Sequence, residues 1–513
     1  MALLVVMVGC AVYYVRLMGE GPPHLHVDSA VYYLMARSLA EGNGVYIDNT
    51  PTPTRPMYPP GYPLLLSLMV PYYDASPWVL SLVSVVMSVL LIPVLYLFGG
   101  KGARGLALAT LYALHPLVAL FSPSVMSEPS AMVWIFLSLV LFRRYEETRQ
   151  SPRILVCLAA TSALMATYTR TAAVALPVAI LLALAVERHA PRRWEMLTVL
   201  GSVFAVGFWF LRHLQDDDAY YVVFVARSNV PEWDFAPRDF FMTVEGFFFN
   251  AAVFFGRNVV DILMGPLTWG VTRAQGPEGM FWAKTAVSCL LSLPILAAVW
   301  HRLTQELSLR EFFFLAYLGE MLLYPDFHLE YRNMLPVVPL LLLYLWEGLV
   351  LFAEWLHWPR RQQLRLCVAA YVPLHIALVY DLAAMTFPAH PMHTGQARGN
   401  SIHDRDFHTA MHWLREHTPP DSLLVSMDPW GVWLYGDRKA VLYPLTDGAQ
   451  RFREELERRR ADYLIVSVRR DPIERFMGRV IQAYEKEFPL AYTSPEGQIR
   501  IYRVLPRSSA GES

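Results

Sequence analysis

The stretch WVLSLVSVVMSVLLIPVLYLFGGKGARGLALATLYALHPLVALF, from Trp78 to Phe121, holds two apolar runs, 78–98 and 103–121, joined by a short loop that carries Lys101 and Arg104. A helix needs about 20 mostly apolar residues to cross a hydrocarbon core roughly 30 Å thick. Basic residues in short loops mark the cytoplasmic side. The stretch therefore reads as a helical hairpin whose connecting loop faces the cytoplasm.

Working outward, nine further runs repeat the pattern: Met1 to about Gly19, then 127–142, 154–169, 171–187, 194–212, 281–300, 312–325, 334–352 and 366–386. Only 17% of the 513 residues are charged and 55% are hydrophobic, whereas a soluble domain carries about 25% charged residues. The first run has no basic n-region and no small-x-small cleavage site, so a retained helix is expected rather than a cleaved signal peptide. Arg143, Arg144, Arg149 and Arg153, then Arg188, Arg192 and Arg193, then Arg302 and Arg310, then Arg360, Arg361 and Arg365 fall in alternate loops. This predicts an all-α polytopic membrane domain of about eleven transmembrane helices over 1–386, with a cytoplasmic N-terminus and an extracytoplasmic C-terminal end.

Nothing in the charge pattern points to a nucleic-acid partner; the partner that composition demands is the lipid bilayer. Cys10, Cys157, Cys289 and Cys367 all lie in apolar stretches and never in a CxxC spacing. A cysteine-built zinc site is excluded and disulfides are not expected.

The polar complexity falls on the opposite face: a surface helix and loop over 20–77, a long loop over 213–280, and everything from 387 to 513. Functional groups gather on irregular loops, so the active side is expected to face away from the cytoplasm. FFMTVEGFFFNAAVFF, Phe240–Phe255, crowds aromatics into the long loop and is expected as an interfacial or short re-entrant helix. Over 387–513 the pattern becomes that of a soluble α/β domain. Helices are expected at 406–416 and 449–460, and strands at 423–427, 462–468, near Leu490 and at 499–505. It contains no phosphate loop or nucleophile elbow, and is expected to serve as a structural or acceptor-positioning lid.

HVDSAVYYLMARSLAEGNGVYIDNTPTPTRPMYPPGYPLLLSLM, His26–Met69, is the stretch richest in candidate chemistry. Asp28 opens an amphipathic helix in which Tyr32, Tyr33, Ala36 and Leu39 follow in register. Its carboxylate reads either as a helix cap or as a base at the mouth of an intramembrane cavity, able to take a proton from an acceptor. Tyr58, Pro59, Pro60, Gly61, Tyr62 and Pro63 form a stiff segment, with the prolines fixing φ and the glycine permitting close backbone approach.

This surface helix, the Gly-x-Gly at 42–44 and YPPGYPLLL resemble the GT-C superfamily of membrane glycosyltransferases, in the bacterial branch related to protein O-mannosyltransferases and lipid A aminoarabinose transferases. Further matches are His115-Pro116, the SEP at 127–129, YTRTAAVALP from Tyr168, and EYRNMLPVVP from Glu330. The resemblance covers roughly 20–345. It implies a donor sugar on a polyprenyl phosphate, undecaprenyl by default, and attack on the anomeric carbon with inversion. The acceptor stays open among glycan, lipid and protein.

Carried over residue by residue, Asp28 matches the first-loop acid and is the candidate base. Many relatives have two adjacent acids there, whereas Ser29 follows Asp28 here; Glu128 is the candidate for a second contribution, with a cap or acceptor-binding role as alternatives. Arg170, Arg332 and Arg37 are candidates for the donor phosphate, because a guanidinium fork matches phosphate oxygens. Arg170 reads otherwise as an ion-pair partner, Arg37 as a snorkelling surface charge, and Arg55 as a loop charge. Tyr32, Tyr33, Tyr58, Tyr62, His328 and Glu330 are candidates for the cavity wall. Asp216, Asp217 and Asp218 with Tyr220 and Tyr221 read as a solvated turn. The pairs His24 with His26 and His390 with His393 lack third and fourth ligands, so no metal site is assigned and a divalent cation is not favoured. A noncatalytic assembly subunit and a transporter of lipid-linked sugars are the competing readings.

Overall fold

The computed structural model describes residues 1–18, 25, 27–51, 53–54, 58–147, 154–186, 193–213, 240–264, 278–305, 307–323, 331–384, 402–444, 448–467 and 472–506. The helices of the first part are α1 (Ala2–Met18), α2 (Asp28–Ala40), α3 (Gly61–Ser67), α4 (Val79–Phe98), α5 (Gly102–Ala113), α6 (Pro116–Phe121), α7 (Glu128–Glu147), α8 (Ile154–Thr169), α9 (Ala175–Val186) and α10 (Arg193–His213). They continue with α11 (Phe240–Val253), α12 (Val259–Met264), α13 (Glu278–Gln305), α14 (Leu309–Leu322), α15 (Val338–Trp355) and α16 (Arg360–Ala384). Each of the eleven apolar runs thus carries a helix. Among the described residues, four helical stretches, 79–98, 285–305, 338–355 and 360–379, are both long and apolar enough to cross a membrane, alongside shorter apolar helices. The count of eleven crossings is not established by these lengths.

On α16, Leu364, Val368, Val372, Ile376 and Val379 form an exposed stripe, at the spacing that places residues on one helix face. A continuous exposed apolar face of this kind marks a contact surface rather than a water-facing one. The inner faces build one core in which α7 packs between α4 and α8, and α13 packs on α15.

The run 103–121 is broken where Pro116 lacks an N–H and His115 caps the new turn. Leu117 N donates to His115 Nδ1 at 3.3 Å, and His115 Nε2 donates to the Ile262 carbonyl at 2.8 Å. The aromatic segment 240–255, expected as an interfacial or short re-entrant helix, is helical and continues past its expected end. α11 and α12 are joined through a π-helical turn at Phe254–Asn258 and pack among the other helices. Ser292 Oγ donates to Phe255 O at 2.6 Å, Asn250 Nδ2 donates to Leu322 O at 2.9 Å, and Phe254, Val259 and Ile262 are buried.

The basic loops meet in space. Arg104, Arg302 and Arg310 all pair with Glu347, at 3.7, 3.1 and 3.0 Å, and Arg143 donates to Phe98 O at 3.2 Å. Three loops that charge alternation assigned to one side therefore lie at one end of the bundle. Among the described glycines, Gly348 on α15 sits tightest against its neighbour, since a Cβ there would lie 1.9 Å from Pro294 O on α13. Gly348→Ala is expected to destabilise the bundle by about 1–3 kcal/mol through overpacking, read as a lower midpoint for thermal loss of monodisperse protein.

The C-terminal domain contains α17 (Ile402–His417), β1 (Leu423–Ser426), α18 (Pro429–Gly436), β2 (Lys439–Leu442), α19 (Ala449–Arg459), β3 (Tyr463–Ser467), α20 (Pro472–Ala483), β4 (Leu490–Thr493) and β5 (Ile499–Arg503). The sheet order is β2-β1-β3-β5-β4. β1 pairs in parallel with β2 and β3, while β5 is antiparallel to β3 and β4. The expected mixed sheet is present, with α18, β2 and α20 as elements the sequence pattern did not reveal.

Candidate active site

Asp28 is the first helical residue of α2, and Val27, not Asp28, occupies the cap position. The Tyr58 hydroxyl donates to Asp28 Oδ1 at 2.6 Å, so the proline-rich segment supplies the donor that orients this carboxylate. One helical turn on, Tyr32 is 3% exposed. Its ring meets Tyr58 edge-on at 5.3 Å and Tyr62 at 5.0 Å, and its hydroxyl shares a 2.8 Å hydrogen bond with Ser127 Oγ. Burial, then the charges of Asp28 and Glu128, push the Tyr32 phenol well above its ordinary value, with Arg170 acting in the opposite sense. Tyr32 thus lies between Asp28, one turn back on α2, and Ser127, the residue before Glu128.

Tyr62 is fully buried and shares a 2.8 Å hydrogen bond with Ser84 Oγ. Gly61 makes the segment fit. A Cβ there would lie 2.6 Å from Tyr168 O, so α3 rests directly on the end of α8, two residues before Arg170. The close backbone approach expected of this glycine is present.

Glu128 begins α7, is 2% exposed, and faces Arg170 with 2.9 Å between Oε1 and a guanidinium nitrogen. That approach lies off the hydrogen-bond direction, and both carboxylate oxygens lack a hydrogen-bond donor among the described residues. A second nitrogen of Arg170 donates to Asn333 Oδ1. Asn333 is held in turn by the Tyr317 hydroxyl, which donates to its carbonyl at 2.8 Å. Arg332 lies one residue earlier, in the turn Tyr331–Met334.

Arg37 and Tyr33 make other contacts. Arg37 is exposed and pairs with Glu41 at 2.8 Å, one turn along the helix, because a long side chain at the surface end of α2 finds its neighbour at i+4. The Tyr33 ring packs against Tyr73 at 4.8 Å, on a different contact from that of Tyr32. His24, His26, Arg55, Asp216, Asp217, Asp218, Tyr220, Tyr221, His328, Glu330, His390 and His393 lie outside the described residues. Among the described residues, no three His, Cys, Asp or Glu side chains are grouped to hold a metal ion.

Sequence reading missed Glu320 on α14, which lies within electrostatic reach of Arg170. Its signal was present: a lone carboxylate within FFFLAYLGEMLL, where an ionisable residue in an apolar helix marks a site.

No protein-family model and no curated protein matches the sequence. Solved structures do match its fold. The chain is similar to the archaeal oligosaccharyltransferase AglB from Archaeoglobus fulgidus, solved with an inhibitory peptide and a dolichol-phosphate, at 15% identity and TM-score 0.55, covering all of this chain and 75% of that one. A second structure of the Archaeoglobus fulgidus enzyme, tethered to an acceptor peptide, matches at 14% identity and TM-score 0.52 over 99% of this chain and 75% of that one. ArnT from Cupriavidus metallidurans in the apo state matches at 11% identity and TM-score 0.51 over 98% and 97% of the two chains. The likeness is one of fold: this chain has the fold of the archaeal oligosaccharyltransferase and of ArnT.

Proposed function

We propose that the protein is an inverting glycosyltransferase that moves a sugar from a polyprenyl-phosphate-linked donor to a glycan, lipid or protein acceptor on the extracytoplasmic side of the membrane. The observation that carries this reading is the placing of Asp28 one helical turn from buried Tyr32, whose hydroxyl meets Ser127 beside the Glu128–Arg170 pair, within a fold shared with glycosyltransferases. The end of the bundle where Arg104, Arg302 and Arg310 meet is the cytoplasmic end, with eleven crossings leaving the C-terminal domain outside.

Asp28 accepts the proton of an acceptor hydroxyl or amine as the acceptor atom attacks the anomeric carbon from the face opposite the phosphate. The bond from that carbon to the phosphate oxygen breaks, and its electron pair leaves with the phosphate. Arg170 and Arg332 offset the charge that develops there, which is where preorganised donors contribute most. Tyr58 keeps Asp28 aimed, and Glu128 holds Arg170. The AglB structure contains a dolichol-phosphate, which supports a lipid phosphate as the ligand for this end of the bundle.

The test is a structure of the protein in nanodiscs loaded with undecaprenyl phosphate, together with the lipid affinity of Arg332→Ala. Phosphate density is expected beside Arg170 or Arg332 and within reach of Asp28. The substitution is expected to weaken binding by roughly 10–100-fold, as for a lost hydrogen bond to a charged group. Absence of lipid phosphate at this end would move the noncatalytic and transport readings ahead.

A further inference from the structure

The residue before Asp28 is held in a conformation its side chain disfavours. Val27 has φ 44° and ψ −110°. A β-branched residue at positive φ is an outlier, and such strain persists where the surroundings over-determine it. Here the surroundings belong to the C-terminal domain. Asp428 Oδ1 accepts from Val27 N at 3.3 Å and from Gly431 N at 3.0 Å, and the Tyr435 hydroxyl accepts from Leu25 N at 3.1 Å.

The contact is built from several sides. Trp430, Trp433, Leu434 and Tyr435 pack on the cluster that contains Tyr32. Lys439 Nζ pairs with Asp48 at 3.0 Å, Ala440 N donates to Asn49 O at 2.7 Å, and Asn49 Nδ2 donates to Ala440 O at 3.1 Å. Gly431 leaves room for the carboxylate, since a Cβ there would lie 2.3 Å from Asp428 Oδ2.

We infer that Asp428 is a positioning residue: by fixing the strained Val27 backbone, with Tyr435 fixing Leu25, it sets the direction in which Asp28 leaves the first turn of α2. The C-terminal domain is then a working part of the site rather than a passive lid. Asp28 is steered by a phenol from the membrane-side loop and by a carboxylate from the outer domain. This inference rests on Asp28 being the base.

The test uses the full-length protein in nanodiscs and follows amide hydrogen exchange over residues 27–32. Asp428→Ala is expected to accelerate exchange there by about tenfold, in line with the loss of a hydrogen bond. Asp428→Asn keeps the oxygen that both amides use and is expected to retain slow exchange. Adding Val27→Gly to Asp428→Ala recovers part of the loss, because glycine adopts positive φ freely. Tyr435→Phe, which removes only the bond to Leu25, reads the same segment should Asp428→Ala loosen the domain.

Transfer is measured in vesicles whose own enzymes load polyprenyl phosphate from radiolabelled sugar nucleotides. Asp428→Ala is expected to lower turnover about tenfold, again the equivalent of one hydrogen bond, with affinity for undecaprenyl phosphate unchanged. Unaltered exchange in both Asp428→Ala and Tyr435→Phe overturns the positioning role, as does an Asn variant as impaired as the Ala variant. Full transfer by Asp28→Asn in the same vesicles overturns the base assignment, whatever the exchange shows.

Discussion

The Asp28→Asn variant is expected to fold, to bind undecaprenyl phosphate as tightly as the parent protein, and to lose transfer by roughly 10²–10⁴-fold, the usual contribution of a general base. Asparagine preserves the shape of the side chain and keeps an oxygen for the Tyr58 hydroxyl, which now donates at 2.6 Å. Helix α2 also keeps its start, because the cap position belongs to Val27. The first turn loses a negative charge, a change worth only about 0.3–1 kcal/mol at a helix N-terminus. The amide cannot take a proton, so the loss falls on turnover. A fall in kcat with KM held constant is the expected signature; full transfer would remove Asp28 from the base role.

Much of the helical part was legible because apolar runs near 20 residues have few alternatives, and each of them carries a helix. What escaped reading was set by tertiary contact. The break before Pro116 has a local cause, but the join of α11 to α12 depends on Ser292 and Asn250 receiving it. β2 is a four-residue strand without alternation that gains its place from β1 and from Asn49. PWGVWLYG becomes α18 because Asp428 caps it and its tryptophans pack on the cluster that contains Tyr32. The candidate site was legible in its residue types. Asp28, Glu128 and Arg170 stood out as charges beside or within apolar sequence, whereas the bond from Arg170 to Asn333, 163 residues away, follows no periodicity. Arg37 stood out by its charge alone, and its partner Glu41 lies four residues along the same helix.

Arg170→Met is expected to cost about 3–5 kcal/mol of stability, because removing one member of a buried pair leaves the other charge uncompensated. Glu128 is 2% exposed and Arg170 15%, and neither Glu128 oxygen has another donor among the described residues to fall back on. The loss of activity in this variant would therefore report on folding as much as on phosphate binding. Glu128→Gln combined with Arg170→Met separates the two. With both charges gone, the double variant is expected to return to within about 1–2 kcal/mol of the parent, since a buried pair is often replaceable by neutral groups. Glu320, which feels the same guanidinium, sets how complete that return is. If Arg170 also meets the donor phosphate, the restored protein still fails to bind undecaprenyl phosphate. Thermal unfolding then reads the ion pair and lipid affinity reads the phosphate contact. A double variant that is stable and binds the lipid like the parent would leave Arg170 with a structural task and pass the phosphate to the segment around Arg332.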